Sequence, residues 1–134
     1  MFRHTMQSGR IPVAALLALC LAGPAAAADP VAGENVFKKC AACHQVGDAA
    51  KNRVGPVLNG IVGRAAGQIA DFKYSDAMLG SGLTWDEATL SEYLRKPKDL
   101  VKGTKMAFAG LKDESDVTNV IAYLATYAAD GTRK

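Results

Sequence analysis

Apolar residues recur at intervals of three and four between positions 117 and 128, which is the spacing of one face of an amphipathic helix. Asp113 stands in an N-cap position ahead of this run, and the acidic residues that follow it suit the first turn of a helix. Gly131 supplies a stop signal. The pattern therefore predicts a C-terminal helix that begins at Asp113 and ends before Gly131.

Two shorter helices are predicted from local signals elsewhere in the chain. Asp29 followed by Pro30 is typical of an N-cap with proline at the first helical position, so we expect a short helix over about residues 31–39. Residues 75–79 are compatible with one or two helical turns.

A further helix is predicted from the spacing of Thr84 and Glu87, which stand three residues apart as in a capping box. The residues after them form a mostly apolar face, and Pro97 should end the helix. Residues 98–103 are expected to continue as a short turn and loop.

The remaining segments predict loops rather than strands. Residues 47–67 are rich in glycine, asparagine and proline and show no helical period. No segment alternates apolar and polar residues as a half-buried strand would. The sequence therefore predicts an all-α fold of about four to five short helices joined by long loops.

The chain begins with the pattern of a cleaved secretory signal. A basic start precedes an apolar run at residues 11–21, which is too short to span a bilayer, and small residues follow up to Ala28. We expect residues 1–28 to be removed and residues 29–134 to form a single exported, periplasmic domain. A retained N-terminal anchor is the alternative.

Removal of the signal changes what the composition implies. The chain has 134 residues with 16 lysines and arginines and 13 aspartates and glutamates, and two of the basic residues lie in the expected signal. The rest is therefore nearly neutral, which gives no reason to expect a nucleic-acid partner. A domain of about a hundred residues has a modest core, to which a large buried prosthetic group would add.

The expected mature chain keeps two cysteines and one histidine, all within Cys40-Ala41-Ala42-Cys43-His44. Structural zinc needs four such ligands, so a zinc site is not available. A C-x-x-C pair alone would also fit a dithiol oxidoreductase, but C-x-x-C-H is the attachment motif of c-type haem. The sequence predicts one covalently bound haem c, with Cys40 and Cys43 as thioether attachments and His44 as an axial iron ligand.

The residues alone leave the second axial ligand open between two methionines. Met78 lies in the predicted short helix, where core packing is the ordinary role of methionine. Met106 lies in a loop beyond the proline-ended helix, from which a sulfur can be directed at the iron. An iron position left open or occupied by water is the third alternative.

Several short motifs follow the attachment motif in a fixed order along residues 32–128. They are VGPVL at 54–58, GR at 63–64, FKYSDA at 72–77, LTW at 83–85, EYL at 92–94, GTKMAFAG at 103–110 and VIAYL at 120–124. In this order they resemble a class I c-type cytochrome, close to bacterial cytochrome c2 and mitochondrial cytochrome c. The resemblance implies the small cytochrome c fold.

The resemblance also implies roles for individual residues. Met106 would be the second axial ligand, and the backbone carbonyl of Pro56 would accept a hydrogen bond from His44. The groups implied to surround the haem are Arg64, Tyr74 and Trp85 at the propionates, and Tyr93 and Thr104 near the Met106 sulfur. Plain packing is the alternative role of Trp85, and we expect it to have both roles. The residues implied at the crossing of the first and last helices are Gly33, Phe37, Val120 and Tyr123.

Two axial side chains leave no iron position for a substrate, so we expect a one-electron carrier rather than an enzyme. The predicted function is soluble periplasmic electron transport between membrane complexes, in a respiratory or a photosynthetic chain. A haem enzyme or gas sensor with an open distal site, and a non-haem dithiol oxidoreductase, are the alternatives.

The resemblance implies a monomer that docks transiently on membrane electron-transfer complexes. The expected donor is of the cytochrome bc1 type, and the acceptor is an oxidase, a reaction centre or another reductase. Lysines at the haem edge would steer these encounters. They are Lys38, Lys39, Lys51, Lys96, Lys98, Lys102 and Lys105. An ordinary solvated surface is the alternative reading of each lysine.

Overall fold

The computed structural model describes residue 9 and residues 27–134, and this part of the chain contains five helices and no β-strand. The helices are α1 (Pro30–Phe37), α2 (Asp76–Leu79), α3 (Glu87–Arg95), α4 (Pro97–Leu100) and α5 (Glu114–Leu124). The predicted all-α class is confirmed. Most of the predicted signal, residues 1–28, lies outside the described residues. Among the described helices, none has the length and apolar character needed to cross a membrane.

The predicted starts of α1 and α2 are confirmed. The Asp29 side chain caps α1 by accepting a hydrogen bond from the backbone N–H of Val31, and Pro30 occupies the first helical position. The Ser75 hydroxyl caps α2 by accepting from the backbone N–H of Met78 at 3.1 Å. Both caps satisfy donors that the first turn of a helix leaves unpaired.

The predicted capping box at Thr84 and Glu87 is wrong, because α3 begins two residues later. The N-cap is Asp86, whose carboxylate accepts from the backbone N–H of Thr89 at 2.8 Å. Thr84 instead pairs with Ala65 in an isolated antiparallel bridge. This bridge keeps the chain extended through Thr84, so the next suitable capping side chain starts the helix.

Pro97 ends α3 as predicted, but it also begins α4 where a turn and loop were expected. Proline has no N–H to lose and its φ suits the first helical position, so it can start a helix that it could not continue. Lys96 separates the two helices with φ −148°, outside the helical region.

Asp113 is the N-cap of α5, as predicted, and the helix ends at Leu124, earlier than the apolar pattern indicates. Tyr127 and Ala128 continue the helical spacing in sequence but lie beyond the helix. There the chain turns back, and Tyr127 pairs with Arg133 in a second isolated bridge.

Helices α1 and α5 cross at a contact that depends on a glycine. A Cβ on Gly33 would lie 1.9 Å from the backbone oxygen of Asn119, so no larger residue allows this approach. Beside it, the rings of Phe37 and Tyr123 lie 5.4 Å apart between centroids, and Val120 is 1% exposed. The four residues implied at this crossing therefore lie in the described core, which fixes the end of α1 that leads into Cys40.

Candidate haem-binding site

The C-x-x-C-H motif lies on a series of turns that continues directly from α1. The N–H of Cys40 donates to the carbonyl of Phe37 at 2.7 Å, and the N–H groups of Cys43 and His44 both donate to the carbonyl of Cys40. Both cysteines are free thiols and half-buried. The turns thus present two unpaired thiols and one imidazole within five residues.

The electrostatics of Cys40 differ from those of a reactive dithiol site. Burial raises the pKa of the Cys40 thiol, the neighbouring Cys43 raises it further, and Lys39 opposes this shift. Thioredoxin-like sites instead lower the pKa of their nucleophilic cysteine to stabilise the thiolate. The surroundings of Cys40 therefore do not favour the dithiol alternative.

His44 is held through one ring nitrogen, which leaves the other free. Its Nδ1 lies 2.7 Å from the carbonyl oxygen of Pro56, and since a carbonyl can only accept, Nδ1 carries the proton. Nε2 therefore keeps its lone pair. Burial lowers the pKa of His44 while the bond to Pro56 raises it, and the neutral ring is the form that binds metals.

A glycine lets the backbone approach the His44 ring. A Cβ on Gly55 would lie 2.3 Å from Cε1 of His44, closer than any non-bonded contact allows. The adjoining residue is Pro56, so the missing side chain at Gly55 is what lets the acceptor carbonyl reach the imidazole.

Two hydroxyl side chains, those of Tyr93 and Thr104, contact the other candidate ligand, Met106, and each other. The backbone N–H of Met106 donates to Thr104 Oγ1 at 3.3 Å, and Thr104 Oγ1 lies 2.9 Å from the Tyr93 hydroxyl. The Tyr93 hydroxyl lies 3.9 Å from the Met106 sulfur and donates to it. Because each hydroxyl has one proton, Thr104 donates to Tyr93 and Tyr93 donates to Met106. Burial raises the pKa of Tyr93, against the bond to Thr104, so its hydroxyl is a donor at neutral pH.

The two methionines differ in their surroundings. Met78 lies in α2, and it packs against the core with its backbone carbonyl accepting from the Ser81 hydroxyl at 2.8 Å. Met106 lies outside every described helix, and its sulfur accepts a hydrogen bond from the Tyr93 hydroxyl. The geometry therefore favours Met106 over Met78 as the residue with a role beyond packing.

Arg64 carries a buried nitrogen without a partner. Its Nη1 donates to the carbonyl of Asn59 at 2.9 Å and its Nη2 to that of Val57 at 3.4 Å, but its Nε is buried and unpaired. Burial lowers the pKa of Arg64 and the nearby Tyr74 raises it. A buried N–H donor without a partner is costly, and a haem propionate would supply a charged acceptor for it.

The two aromatic residues implied at the propionates are placed differently. The Tyr74 hydroxyl accepts from the backbone N–H of Ile69 at 3.1 Å, which leaves its own proton available. Trp85 is 6% exposed and its ring lies 4.9 Å from that of Tyr93. Trp85 is thus part of the core, and its backbone N–H donates to the carbonyl of Arg64 at 2.8 Å.

One buried polar residue has no role in the sequence predictions. Asn59 is 6% exposed and its side chain bonds twice to the backbone of Gly47. The available signal was an asparagine inside the apolar run of residues 54–62, where a polar side chain requires a partner.

Taken together, the residues fit a covalently attached haem. They offer two free thiols, an imidazole with one free nitrogen, a thioether held in a loop, and a buried guanidinium nitrogen without an acceptor. A dithiol centre would use neither the thioether nor the unpaired guanidinium nitrogen.

Comparisons with known proteins agree with this chemistry. The sequence profile of the family "Cytochrome c" matches residues 30–128. The chain is 55% identical over 111 residues to cytochrome c2 of Blastochloris viridis, covering 83% of this chain and 87% of that protein. It is 57% identical over 107 residues to cytochrome c2 of Rhodoblastus acidophilus, covering 80% and 100%.

The fold agrees as well. The structure of cytochrome c2 from Rhodospirillum centenum matches with a TM-score of 0.72 and 38% identity, over 75% of this chain and 98% of that one. These matches confirm the predicted fold, the predicted haem c with its iron, and electron transfer rather than enzymatic catalysis as the type of function. The chain belongs to the cytochrome c family, as a class I c-type cytochrome close to the cytochromes c2.

Proposed function

We propose that this protein is a periplasmic one-electron carrier whose haem iron is ligated by His44 and Met106 and attached through Cys40 and Cys43. When bound, the haem supplies an iron that gains and loses a single electron. The observation that carries the proposal is the Met106 sulfur, which lies in a non-helical loop and accepts a hydrogen bond from Tyr93. A packing methionine has no need of such a donor.

The protein's own groups would set the reduction potential in opposite directions. A thioether ligand favours the reduced iron and raises the potential. The bond from His44 Nδ1 to Pro56 makes the imidazole more basic, which favours the oxidised iron and lowers the potential. With His44 and Met106 both bound to the iron, oxygen and other small ligands would have no iron position to occupy, which suits electron carriage.

In this proposal the haem propionates contact Arg64, Tyr74 and Trp85. The unpaired Nε of Arg64 supports it most directly, since a carboxylate there satisfies a donor that is otherwise buried without an acceptor. The free proton of the Tyr74 hydroxyl supports a second contact.

The partners would be membrane electron-transfer complexes, with a cytochrome bc1-type donor and an oxidase, reaction centre or other reductase as acceptor. Support comes from seven exposed lysines near the motif and the Met106 loop: Lys38, Lys39, Lys51, Lys96, Lys98, Lys102 and Lys105. Lys39 is partly neutralised by Asp116 at 3.6 Å, so the other lysines would contribute more to steering.

Export would place the protein beside such complexes. In this proposal residues 1–28 are a signal peptide that is removed, and residues 29–134 are the single functional domain, acting as a monomer.

Absorption spectroscopy of the purified mature protein tests the proposal. We expect a low-spin c-type spectrum that carbon monoxide leaves unchanged, because both axial positions are occupied. A spectrum that shifts with carbon monoxide would support an open-site enzyme or sensor instead, and would overturn the proposed ligation.

Electron transfer with membrane complexes tests the docking. Rates should fall steeply with rising salt, and Lys98→Gln should lower the low-salt rate more than Lys112→Gln, which changes an exposed lysine that is not among the seven. A flat salt response, or equal effects of the two variants, would contradict the lysine surface.

A further inference from the structure

Two loop segments run side by side around the bond between His44 and Pro56. We name them the His44 segment, residues 43–47, and the Pro56 segment, residues 55–59. One backbone bond lies on each side of the His44 contact: Gly55 N–H to the Cys43 carbonyl at 2.9 Å, and Leu58 N–H to the Gln45 carbonyl at 3.1 Å. The imidazole bond is therefore one member of a short ladder, and its geometry depends on the neighbouring bonds.

A side chain closes the far end of this ladder. The Asn59 amide oxygen accepts from the Gly47 N–H at 2.8 Å, and the Asn59 amide nitrogen donates to the Gly47 carbonyl at 2.8 Å. The amide thus pairs with both polar groups of one backbone residue, as a neighbouring strand would. Because Asn59 is 6% exposed, water cannot readily replace either bond if the amide is removed.

The backbone of Asn59 serves a second group. Its carbonyl accepts from Arg64 Nη1 at 2.9 Å, which helps to orient the guanidinium whose Nε has no protein partner. A single buried residue therefore contacts both the segment that follows His44 and the side chain assigned to a propionate.

We infer that Asn59 is a positioning residue for the haem, whose amide keeps the Pro56 carbonyl on the His44 ring. The inference rests on the proposed ligation by His44. Without the amide, the two segments separate more often and the bond from Nδ1 opens more often. The imidazole then becomes less basic and stabilises the oxidised iron less, so the reduction potential rises.

Proton exchange in the haem-loaded protein tests this directly. In the oxidised protein the paramagnetic iron shifts the His44 ring signals away from the others, so exchange of the Nδ1 proton with D2O can be followed by NMR. In Asn59→Ala this exchange should accelerate by at least about tenfold, since two buried hydrogen bonds that restrain the contact are lost. The reduction potential should rise in the same variant.

Asn119→Ala is the matched control. The Asn119 side chain also accepts a backbone hydrogen bond, from Asp29 N–H at 2.8 Å, but at the crossing of α1 and α5. Its loss should lower stability while changing the His44 exchange rate by no more than about twofold. Should Asn59→Ala not fold, Asn59→Asp keeps the acceptor for Gly47 N–H but sets a second acceptor oxygen against the Gly47 carbonyl, and it should also accelerate the exchange.

Failure of this inference differs from failure of the proposed function. If the unaltered protein shows no paramagnetically shifted His44 ring proton, the proposed ligation is wrong and the inference is overturned with it. If that signal is present and its exchange is unaffected by the Asn59 variants, or equally accelerated in Asn119→Ala, then only the positioning role is overturned.

Discussion

The hydroxyl of Tyr93, on α3, lies 3.9 Å from the sulfur of Met106. Met106 lies in a loop further along the chain, and Thr104 in the same loop contacts both residues. The Tyr93 hydroxyl is thus the link between the helix and the candidate ligand. A hydrogen bond to a thioether draws electron density from the sulfur, and this weakens its bond to oxidised iron more than its bond to reduced iron.

Replacing Tyr93 with phenylalanine should therefore lower the reduction potential. The hydrogen bond has a net energy of about 0.5–1.5 kcal/mol, and only its difference between the two oxidation states counts, so the fall should be at most roughly 20–60 mV for one electron. Redox titration followed by absorption measures the change. Tyr127→Phe is the control, because the Tyr127 hydroxyl contacts Tyr123 and Arg133 and should leave the potential unchanged. An unchanged or higher potential in Tyr93→Phe would contradict the role of its hydroxyl.

Gly55→Ala should disturb His44 directly. The added Cβ would lie 2.3 Å from the ring, so the imidazole or the Pro56 segment must move, at a cost of about 1–3 kcal/mol in the free energy of unfolding. Urea unfolding measures this cost. In Gly80→Ala the new Cβ would meet only the Asp76 carbonyl, at 3.3 Å, and we expect a much smaller loss. Equal stability of the two variants would show that the ring is not held against Gly55.

The start of α3 predicts a specific response to acid. Hydrogen bonds from Thr89, chiefly from its backbone N–H, lower the pKa of Asp86 below its ordinary value of 3.8. A carboxylate with a lowered folded-state pKa stabilises the protein above its unfolded pKa, and this contribution is lost as the pH falls through the folded pKa. Asp86→Asn keeps a capping side chain that does not titrate.

Urea midpoints between about pH 5 and about pH 2.5 test this cap. The midpoint of the unaltered protein should fall more than that of Asp86→Asn, and Thr84→Ala should follow the unaltered protein because Thr84 does not cap the helix. If Thr84→Ala lost stability at neutral pH and Asp86→Asn did not, Thr84 would be the N-cap, as the sequence pattern predicts.

Local signals predicted the parts of this fold that depend on local chemistry. The attachment motif, the caps Asp29 and Asp113, and the short helix after Ser75 each depend on residues a few positions apart. The choice between Thr84 and Asp86 as N-cap depended on a bridge to Ala65, which lies far away in sequence.

Local sequence signals could not predict the role of Asn59, because it also depends on a contact with a distant part of the chain. Its partner Gly47 is twelve residues away along an irregular loop, and no periodic pattern relates the two. The unpaired nitrogen of Arg64 likewise becomes visible only when the carbonyls around it have been placed.

The central claim, that Met106 is the second axial ligand, is tested most directly by comparing two methionine variants in the haem-loaded protein. Absorption spectra of Met106→Ala and Met78→Leu, each with and without carbon monoxide, separate ligation from packing. We predict that Met106→Ala loses the methionine–iron charge-transfer band and binds carbon monoxide, whereas Met78→Leu keeps the band and does not. Retention of the band in Met106→Ala, or its loss only in Met78→Leu, would contradict the account.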